Sequence, residues 1–331
     1  MTQLAEGTGQ LVVGESDLAT HRGELTGYCY RMLGSVHDAE DAVQETLVRA
    51  WRARDGFEGR SSVRSWLYRI ATNVCLDAIA SRGRRATPLE IGGPSAPVAA
   101  SLGEPRAHEE WLEPLPWHGD TVTSADPAER AAERDSVRLA FVAALQHLPA
   151  RQRAVLILRD VLRFRAEEVA SLLGCTVASA NSALQRARST MSARQGDTAP
   201  LDPLDADHQR LLERYVDAFE RYDIDAFVAL LHADATQNMP PFALWLQGAD
   251  DVGAWMLGPG AECRGSRLLP TTGANGCPAF GQYRPAPDGG HDPWALHVLE
   301  VTGGRITAIT SFLDTRLFPR FGLPDRLPAE G

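Results

Sequence analysis

Ser179, Asn181, Gln185, Arg186 and Arg188 crowd hydroxyl, amide and guanidinium groups into ten residues. These groups hydrogen-bond to base edges and to phosphate oxygens. Val177, Ala180, Ala183, Leu184 and Ala187 recur between them at helical spacing and form the opposite, inward stripe. Upstream, Val169, Ala170, Leu172 and Leu173 make a shorter apolar stripe. Gly174 can take the left-handed conformation that ends a helix, and Thr176 can cap the next one. Ala166–Ser192 therefore reads as a helix-turn-helix whose second helix faces DNA. An ordinary helical hairpin would show the same stripes, so the rest of the chain has to separate the two.

A second polar group lies on a helix expected over Val63–Ser81. Its inward side holds Val63, Trp66, Leu67, Ile70, Ala71, Val74 and Ala78, leaving Arg64, Tyr68, Arg69, Asn73 and Asp77 on other faces. The loop Phe57–Ser62 precedes it with Arg60 and Ser61, and Arg82, Arg84 and Arg85 follow it. Arginines that grip the backbone, beside an aromatic ring that can stack on a base, suit single-stranded or melting DNA. A solvated basic helix face would have the same composition.

A third helix is marked by Ala39, Ala42, Val43, Thr46, Leu47, Ala50 and Trp51, the inward stripe. Its outer face is acidic at the start (Asp38, Glu40, Asp41, Glu45) and basic at the end (Arg49, Arg52, Arg54), which matches the helix dipole. Such a face is either plainly solvated or a docking surface for a basic partner.

The bulk composition bounds these readings. With 331 residues and 44% apolar content, two or three globular domains are expected. All 33 basic residues are Arg, which fits a GC-rich coding sequence at least as well as phosphate recognition. The net charge of −10 opposes a simple nucleic-acid binder until it is divided by position. Residues 1–195 carry 23 Arg against 24 acids, a net of −1, and the remainder carries 10 against 19, a net of −9. Residues 49–85 hold 9 Arg against 3 acids and residues 150–194 hold 8 against 3, so two basic islands stand in the first part. Five scattered cysteines without a CxxC pair suggest neither zinc nor a disulfide framework. No metal and no cofactor is expected. No apolar run is long enough for a membrane helix, no signal peptide is recognisable, and the expected compartment is the cytoplasm.

The connecting elements follow. Residues 1–15 are Gly-rich and weakly patterned, and a helix is expected over Leu18–Leu33. Residues 86–125 are rich in Pro, Gly and Ala and read as a linker without a stable core. That linker is anionic, with six acids and one Arg over residues 90–120, and it contains Trp111, Leu112, Leu115 and Trp117. Asp126-Pro127-Ala128-Glu129 has the form of a helix start, for a helix reaching about His147, and another helix is expected over Arg151–Leu162. Past residue 195 come helices at His208–Tyr222, Ile224–His232 and Gly248–Leu257. Strands are expected at Ser266–Thr272, Cys277–Arg284, Trp294–Thr302 and Arg305–Leu313, the last two flanking Gly303-Gly304. Helices followed by a curled antiparallel sheet make an α+β domain.

Four segments in order now point to a family: Asp38-Ala39-Glu40-Asp41-Ala42-Val43-Gln44-Glu45; Ser65-Trp66-Leu67-Tyr68-Arg69-Ile70-Ala71 with Asn73 and Asp77; Leu148-Pro149-Ala150-Arg151-Gln152-Arg153; and the helix-turn-helix. Together they resemble the extracytoplasmic-function (group IV) sigma factors of the sigma-70 family. Residues 205–320 resemble, by pattern, the SnoaL-like cone that some of these proteins carry as an extension, and Trp111-Leu112-Glu113-Pro114 is similar to the linker signature of the fused forms. The implied organisation is region 2 over residues 16–86, an acidic linker over 87–125, region 4 over 126–195 and a SnoaL-like regulatory domain over 205–320. The implied fold class is two all-α domains followed by an α+β cone. The resemblance implies that Asp41, Gln44, Glu45 and Arg49 dock on core RNA polymerase. It implies that Arg60, Ser61, Arg64, Tyr68, Arg69 and Asn73 open and read the −10 promoter element, and that Ser179, Asn181, Gln185, Arg186 and Arg188 read the −35 element. It further implies that the acidic linker, with Glu109, Glu110 and Glu113, threads toward the RNA channels. The extension would control the sigma part by intramolecular contact.

Cone domains of this type often hold a pocket, and Asn238, Trp245, Tyr283, His297 and Asp314 are candidate lining residues for an unknown small ligand. A His–Asp pair could do acid–base work, but no spacing forces these groups together, so the expectation is sensing or domain contact without turnover. The alternative is a helix-turn-helix regulator with a ligand-binding or enzymatic C-terminal domain. It leaves the acidic helix and the second basic island unexplained.

Overall fold

The computed structural model describes residues 14–117, 127–194, 201 and 205–329. The chain divides into two compact units. The first takes Met1–Arg85, Leu112–Leu115 and Leu139–Asp197; the second takes Ala86–Trp111, Pro116–Arg138 and Thr198–Gly331.

The first unit is helical. It contains α1 (Glu15–Thr20), α2 (Arg22–Leu33), α3 (Val36–Ala53) and α4 (Val63–Ala80). The second unit then contributes α5 (Pro127–Asp135), and α6 (Leu139–Gln146), α7 (Ala150–Leu156), α8 (Ala166–Leu173) and α9 (Val177–Arg194) return to the first. The expected first helix breaks at His21 into α1 and α2. Gly34, at φ 72°, ends α2, and the Ser35 hydroxyl then accepts from the Asp38 amide to cap α3. Ser62 caps α4 in the same way through the Ser65 amide. Of the inward stripe of α3, Ala39, Ala42, Val43, Thr46 and Ala50 are buried and Leu47 is half-buried, but Trp51 is 45% exposed. The helix runs straight into a 3-10 turn, Arg54–Gly56, so the indole is covered by the Arg54 guanidinium, 3.5 Å from its ring centre, and not by a core.

The single helix expected up to His147 is two. Its proposed cap, Asp126, lies outside the described residues. The break at Ser136–Arg138 has a long-range cause: Asn275 Nδ2 donates to the Val137 carbonyl at 2.6 Å, and Arg138 pairs with Glu300 at 2.5 Å. Asn275 takes a carbonyl that a continuous helix would have used, and the Arg138 side chain is anchored to Glu300. Likewise α7 ends in a π-turn, Ile157–Val161, followed by Arg163 at φ 59°.

The second unit is built on α10 (Ala206–Glu220), α11 (Ile224–Val228), β1 (Leu231–Asn238), β2 (Trp245–Gln247), α12 (Ala249–Leu257), β3 (Arg267–Pro270), β4 (Ala279–Pro285), β5 (His291–Thr302) and β6 (Arg305–Phe312). The strand order is β2-β1-β6-β5-β4-β3. Neighbours are antiparallel except β1 and β6, which run parallel, so the sheet is mixed where a wholly antiparallel one was expected. β1 and β2 were not foreseen; LHADATQN has no clean alternation, and its partner β6 is some seventy residues away in sequence. Leu211, Tyr215, Phe219, Phe227, Leu246, Trp255, Leu299 and Ile309 form the core between α10–α12 and one face of the sheet.

The expectation of a linker without a stable core is corrected. Residues 86–111 make 3-10 turns at Pro88–Glu90, Ala99–Ser101 and His108–Glu110 and hydrogen-bond within the second unit. Ser95 N donates to Trp245 O at 2.8 Å, Trp245 Nε1 to Gly92 O at 2.9 Å, and Arg106 N to Pro241 O at 2.9 Å. Leu102 packs on the sheet-and-helix core, and Trp111, Leu112, Leu115 and Trp117 are all buried. The large apolar side chains in this segment supply the burial that its Pro/Gly composition hides.

Candidate nucleic-acid and polymerase interface

On α9 the inner stripe is Ala180, Leu184, Ala187 and Met191. The Thr176 hydroxyl caps the helix by accepting from Ser179 N at 3.1 Å, and Gly174 sits at φ 61°. Ser179, Asn181, Gln185, Arg186 and Arg188 are all exposed. Arg188 is engaged: its Nη2 and Nε donate to the two oxygens of Asp160 at 2.6 and 2.9 Å. That bidentate pair raises the guanidinium pKa and braces α9 against the π-turn.

On α4, Arg69 and Asn73 are exposed, as are Arg60 and Ser61 in the preceding loop. Tyr68 is fully buried. Its ring lies edge-on against Phe164, and Arg64 sits 4.5 Å above the Phe164 ring. Glu24 accepts from Arg64 Nε at 2.8 Å and from the Tyr68 hydroxyl at 3.3 Å. Burial, with the Glu24 charge beside it, pushes the phenol well above its usual range. Phe164 is held in turn: its amide donates to Leu158 O at 2.9 Å and its carbonyl accepts from Arg159 at 2.7 Å. Sequence reasoning missed Phe164, a lone aromatic between arginines in a short turn.

On α3, Asp41, Gln44, Glu45 and Arg49 are exposed on one side. Arg49 Nε donates to Glu45 at 2.7 Å and lies 3.7 Å from Asp77 of α4. Val48, exposed among them, adds an apolar spot that the charge pattern concealed.

Two further residues join distant parts of this unit. Arg153 is 4% exposed; its guanidinium donates to the carbonyls of Met32, Gln146 (3.0 Å) and Leu148 (3.2 Å) and to Gln146 Oε1 at 2.6 Å. Burial pushes its pKa down to about 10. Glu113, from the linker, lies at the start of α3, where its Oε2 accepts from the Ser35 hydroxyl at 2.6 Å and lies 2.8 Å from His37 Nδ1.

In the second unit four of the five suggested lining residues lie on strands and divide between the two faces of the sheet, and Asp314 lies past the end of β6. Gln237 pairs with Ile309 and Leu246, both core residues, so its neighbour Asn238 points to the opposite face, where Nδ2 donates to Thr310 Oγ1 at 3.2 Å. Trp245, in register with Asn238, is bonded to Gly92, and the Tyr283 hydroxyl donates to Pro324 O at 2.8 Å. Asp314 caps the 3-10 helix Thr315–Phe321 and pairs with Arg316 at 2.8 Å and with His108 at 3.7 Å. His297 faces the core instead. The Tyr215 hydroxyl donates to its Nδ1 at 2.8 Å, Nε2–H donates to Gln282 Oε1 at 3.0 Å, and Gln282 Nε2 donates to Ser266 Oγ at 3.0 Å. Burial drops the imidazole pKa to about 4, which keeps the ring neutral. His297 and Asp314 thus have separate partners and do not form a dyad. Gln237, 6% exposed, is a core-facing polar group that sequence reasoning missed, and its Oε1 has no hydrogen-bond partner among the described residues.

Comparison with known proteins decides the family. Residues 18–85 match the sigma-70 region 2 family, residues 138–191 match sigma-70 region 4, and residues 212–309 match the SnoaL-like domain. The chain is 48% identical to the ECF RNA polymerase sigma factor SigG of Mycobacterium tuberculosis, over 98% of its own length and 89% of that protein's. The chain belongs to the ECF RNA polymerase sigma factors. This sigma factor is also 27% identical to M. tuberculosis SigJ, over 73% of its own length and 72% of that protein's. The crystal structure of SigJ shares its fold, with a TM-score of 0.58 at 23% identity, covering 94% of this chain and all of that one. Within the sigma factor's helical unit, then, the segment matched to region 4 supplies the Phe164 ring that covers Tyr68 of the segment matched to region 2. Among its described residues no helix is long and apolar enough to cross a membrane, and no group of three or more His, Cys, Asp or Glu could hold a metal ion.

Proposed function

We propose that this sigma factor, working in the cytoplasm, presents three surfaces in turn. The outer side of α3 (Asp41, Gln44, Glu45, Arg49) docks on core polymerase. The loop and helix bearing Arg60, Ser61, Arg64, Tyr68, Arg69 and Asn73 open and read the −10 element, and α9 reads the −35 element through Ser179, Asn181, Gln185 and Arg186, with Arg188 once it leaves Asp160. The observation that carries the reading is Phe164 over Tyr68. An aromatic ring buried in the protein cannot stack on a base, so initiation requires this helical unit to open. The segments on either side of Leu112–Leu115 belong to the unit of the SnoaL-like domain, which supports regulation of that opening by intramolecular contact.

The SnoaL-like domain acts in this reading without turnover. The neutral, fully bonded His297 supports that view, because neither ring nitrogen is left for a substrate. A small uncharged ligand would find its polar contact at Gln237, whose buried oxygen otherwise forfeits a hydrogen bond at a cost of about 1–3 kcal/mol. In vitro transcription with core polymerase, comparing the full chain with one truncated after about residue 200, tests the regulatory half of the proposal. Identical activity would make the extension a passenger. Tight promoter binding by the chain alone, with indifference to core polymerase, would sink the three-surface scheme.

A further inference from the structure

Glu113 stands 76 residues beyond His37 in sequence and beside it, at the first turn of α3, in space. Its backbone is pinned on both sides: its amide donates to Gly34 O at 3.0 Å, and its carbonyl accepts from the Tyr30 hydroxyl at 2.8 Å. Leu112 fills the space above Gly34, where a Cβ would meet its Cδ2 at 2.5 Å. The carboxylate then meets the start of α3. Besides the Ser35 hydroxyl and His37 Nδ1, the His37 amide points at the same oxygen from 3.4 Å. Arg85 stands 4.0 Å from the other oxygen and also donates to Asp38 at 2.8 Å. A carboxylate in this place opposes the positive end of the helix dipole. It also orients Ser35, the helix's own cap, because the hydroxyl that donates to Glu113 accepts from Asp38 N. The residues immediately flanking Leu112–Leu115 fall in the other unit, so these four residues are a clip contributed by the linker to the helical unit.

We infer that Glu113 is a positioning residue for polymerase binding, setting the start of α3 from the linker. The inference rests on α3 being the polymerase-docking helix. It assigns Glu113 a role before promoter opening, and it makes the linker a component of the docking surface. Release of the clip would remove one counter-charge from the start of α3 and leave Ser35 without its orienting partner.

The test is run-off transcription with the full chain titrated into core polymerase, on a promoter selected from a random-sequence library by the wild-type holoenzyme. Glu113→Ala should raise the half-saturating concentration roughly fivefold, the order expected for loss of a helix cap, and leave the plateau unchanged. Glu113→Gln keeps an oxygen for Ser35 and His37 and should stay within about twofold of wild type, which loss of fold would not permit. His37→Ala added to Glu113→Ala should cost nothing further, because both act through one contact. An unchanged half-saturating concentration in Glu113→Ala, or a lowered plateau at constant half-saturation, would overturn the inference. Asp41→Arg with Glu45→Arg provides the separate control. If that pair leaves half-saturation unchanged, α3 is not the docking helix and the inference falls with that reading. If the pair shifts it and Glu113→Ala does not, only the role of Glu113 is lost.

Discussion

The Phe164 ring meets Tyr68 edge-on, with centroids 5.2 Å apart and planes at 65°. One ring comes from the turn before the helix-turn-helix and the other from the middle of α4. Phe164 is 3% exposed, so Phe164→Ala should cost the helical unit about 3 kcal/mol, read by urea unfolding followed by helical circular dichroism. Transcription with saturating core polymerase should nevertheless persist, because in the proposed scheme Tyr68 leaves Phe164 before it reaches a base. Loss of transcription in a variant that still folds would mean that the contact is needed in the open complex.

Arg153 fastens the α6–α7 corner to the end of α2 through three backbone carbonyls and the Gln146 side chain. Arg153→Met keeps much of the volume but leaves those acceptors without their donor. A loss of about 3 kcal/mol is expected from calorimetry. Arg153→Lys should recover less than half of it, since one ammonium cannot reproduce a planar fork.

Arg186 and Arg188 on α9 should behave differently. Arg186→Ala removes an exposed guanidinium and should weaken −35-dependent initiation by about 1–3 kcal/mol if it reads a base. If it contacts phosphate, binding should fall evenly across sequences and the salt slope should drop by about one. Asp160→Ala frees Arg188 from its bidentate partner and should strengthen holoenzyme binding to promoter DNA, most visibly at low salt. A weaker complex would show that the brace on α9 matters more than the released charge.

His297 predicts an acid-sensitive SnoaL-like domain. The unfolded imidazole titrates near 6.5, whereas burial lowers it to about 4 in the fold. Between these values the unfolded chain binds the extra proton. Stability is therefore full above about pH 6.5 and falls as the pH is lowered toward 4, by on the order of 3 kcal/mol in total. Urea unfolding of the full chain, followed by tryptophan fluorescence across this range, should show the slope. His297→Gln should start less stable and lose the slope; an unchanged slope would assign it to other groups.

The elements that were legible share a local cause. Gly174 and Thr176 announce the turn and cap of the helix-turn-helix, and both act as the sequence suggests. Gly303 and Gly304, at φ 63° and 70°, close the β5–β6 hairpin that their flanking strands required. The side-chain stripes of α3 and α4 needed only helical periodicity. Where one expected helix failed, the deciding partners were distant: Asn275 and Glu300 hold the break between α5 and α6. Trp51 failed locally, because Arg54 one turn on covers it. The five residues proposed for a pocket were selected by chemistry alone, and strand alternation sends Asn238 and His297 to opposite faces.

Sequence alone determined where the helices of the sigma regions are capped and which faces they turn inward, because caps, stripes and basic islands are written within a few helical turns. It also determined the order of domains and their unequal charge. Tertiary structure alone decided which polar residues of those helices are presented. Tyr68 and Arg188 stand on the same helices as Asn73 and Arg186, yet Phe164 covers one and Asp160 holds the other. Such pairings join residues 28 to 96 positions apart, and a contact at that separation is set by how helices pack and not by any pattern along one of them.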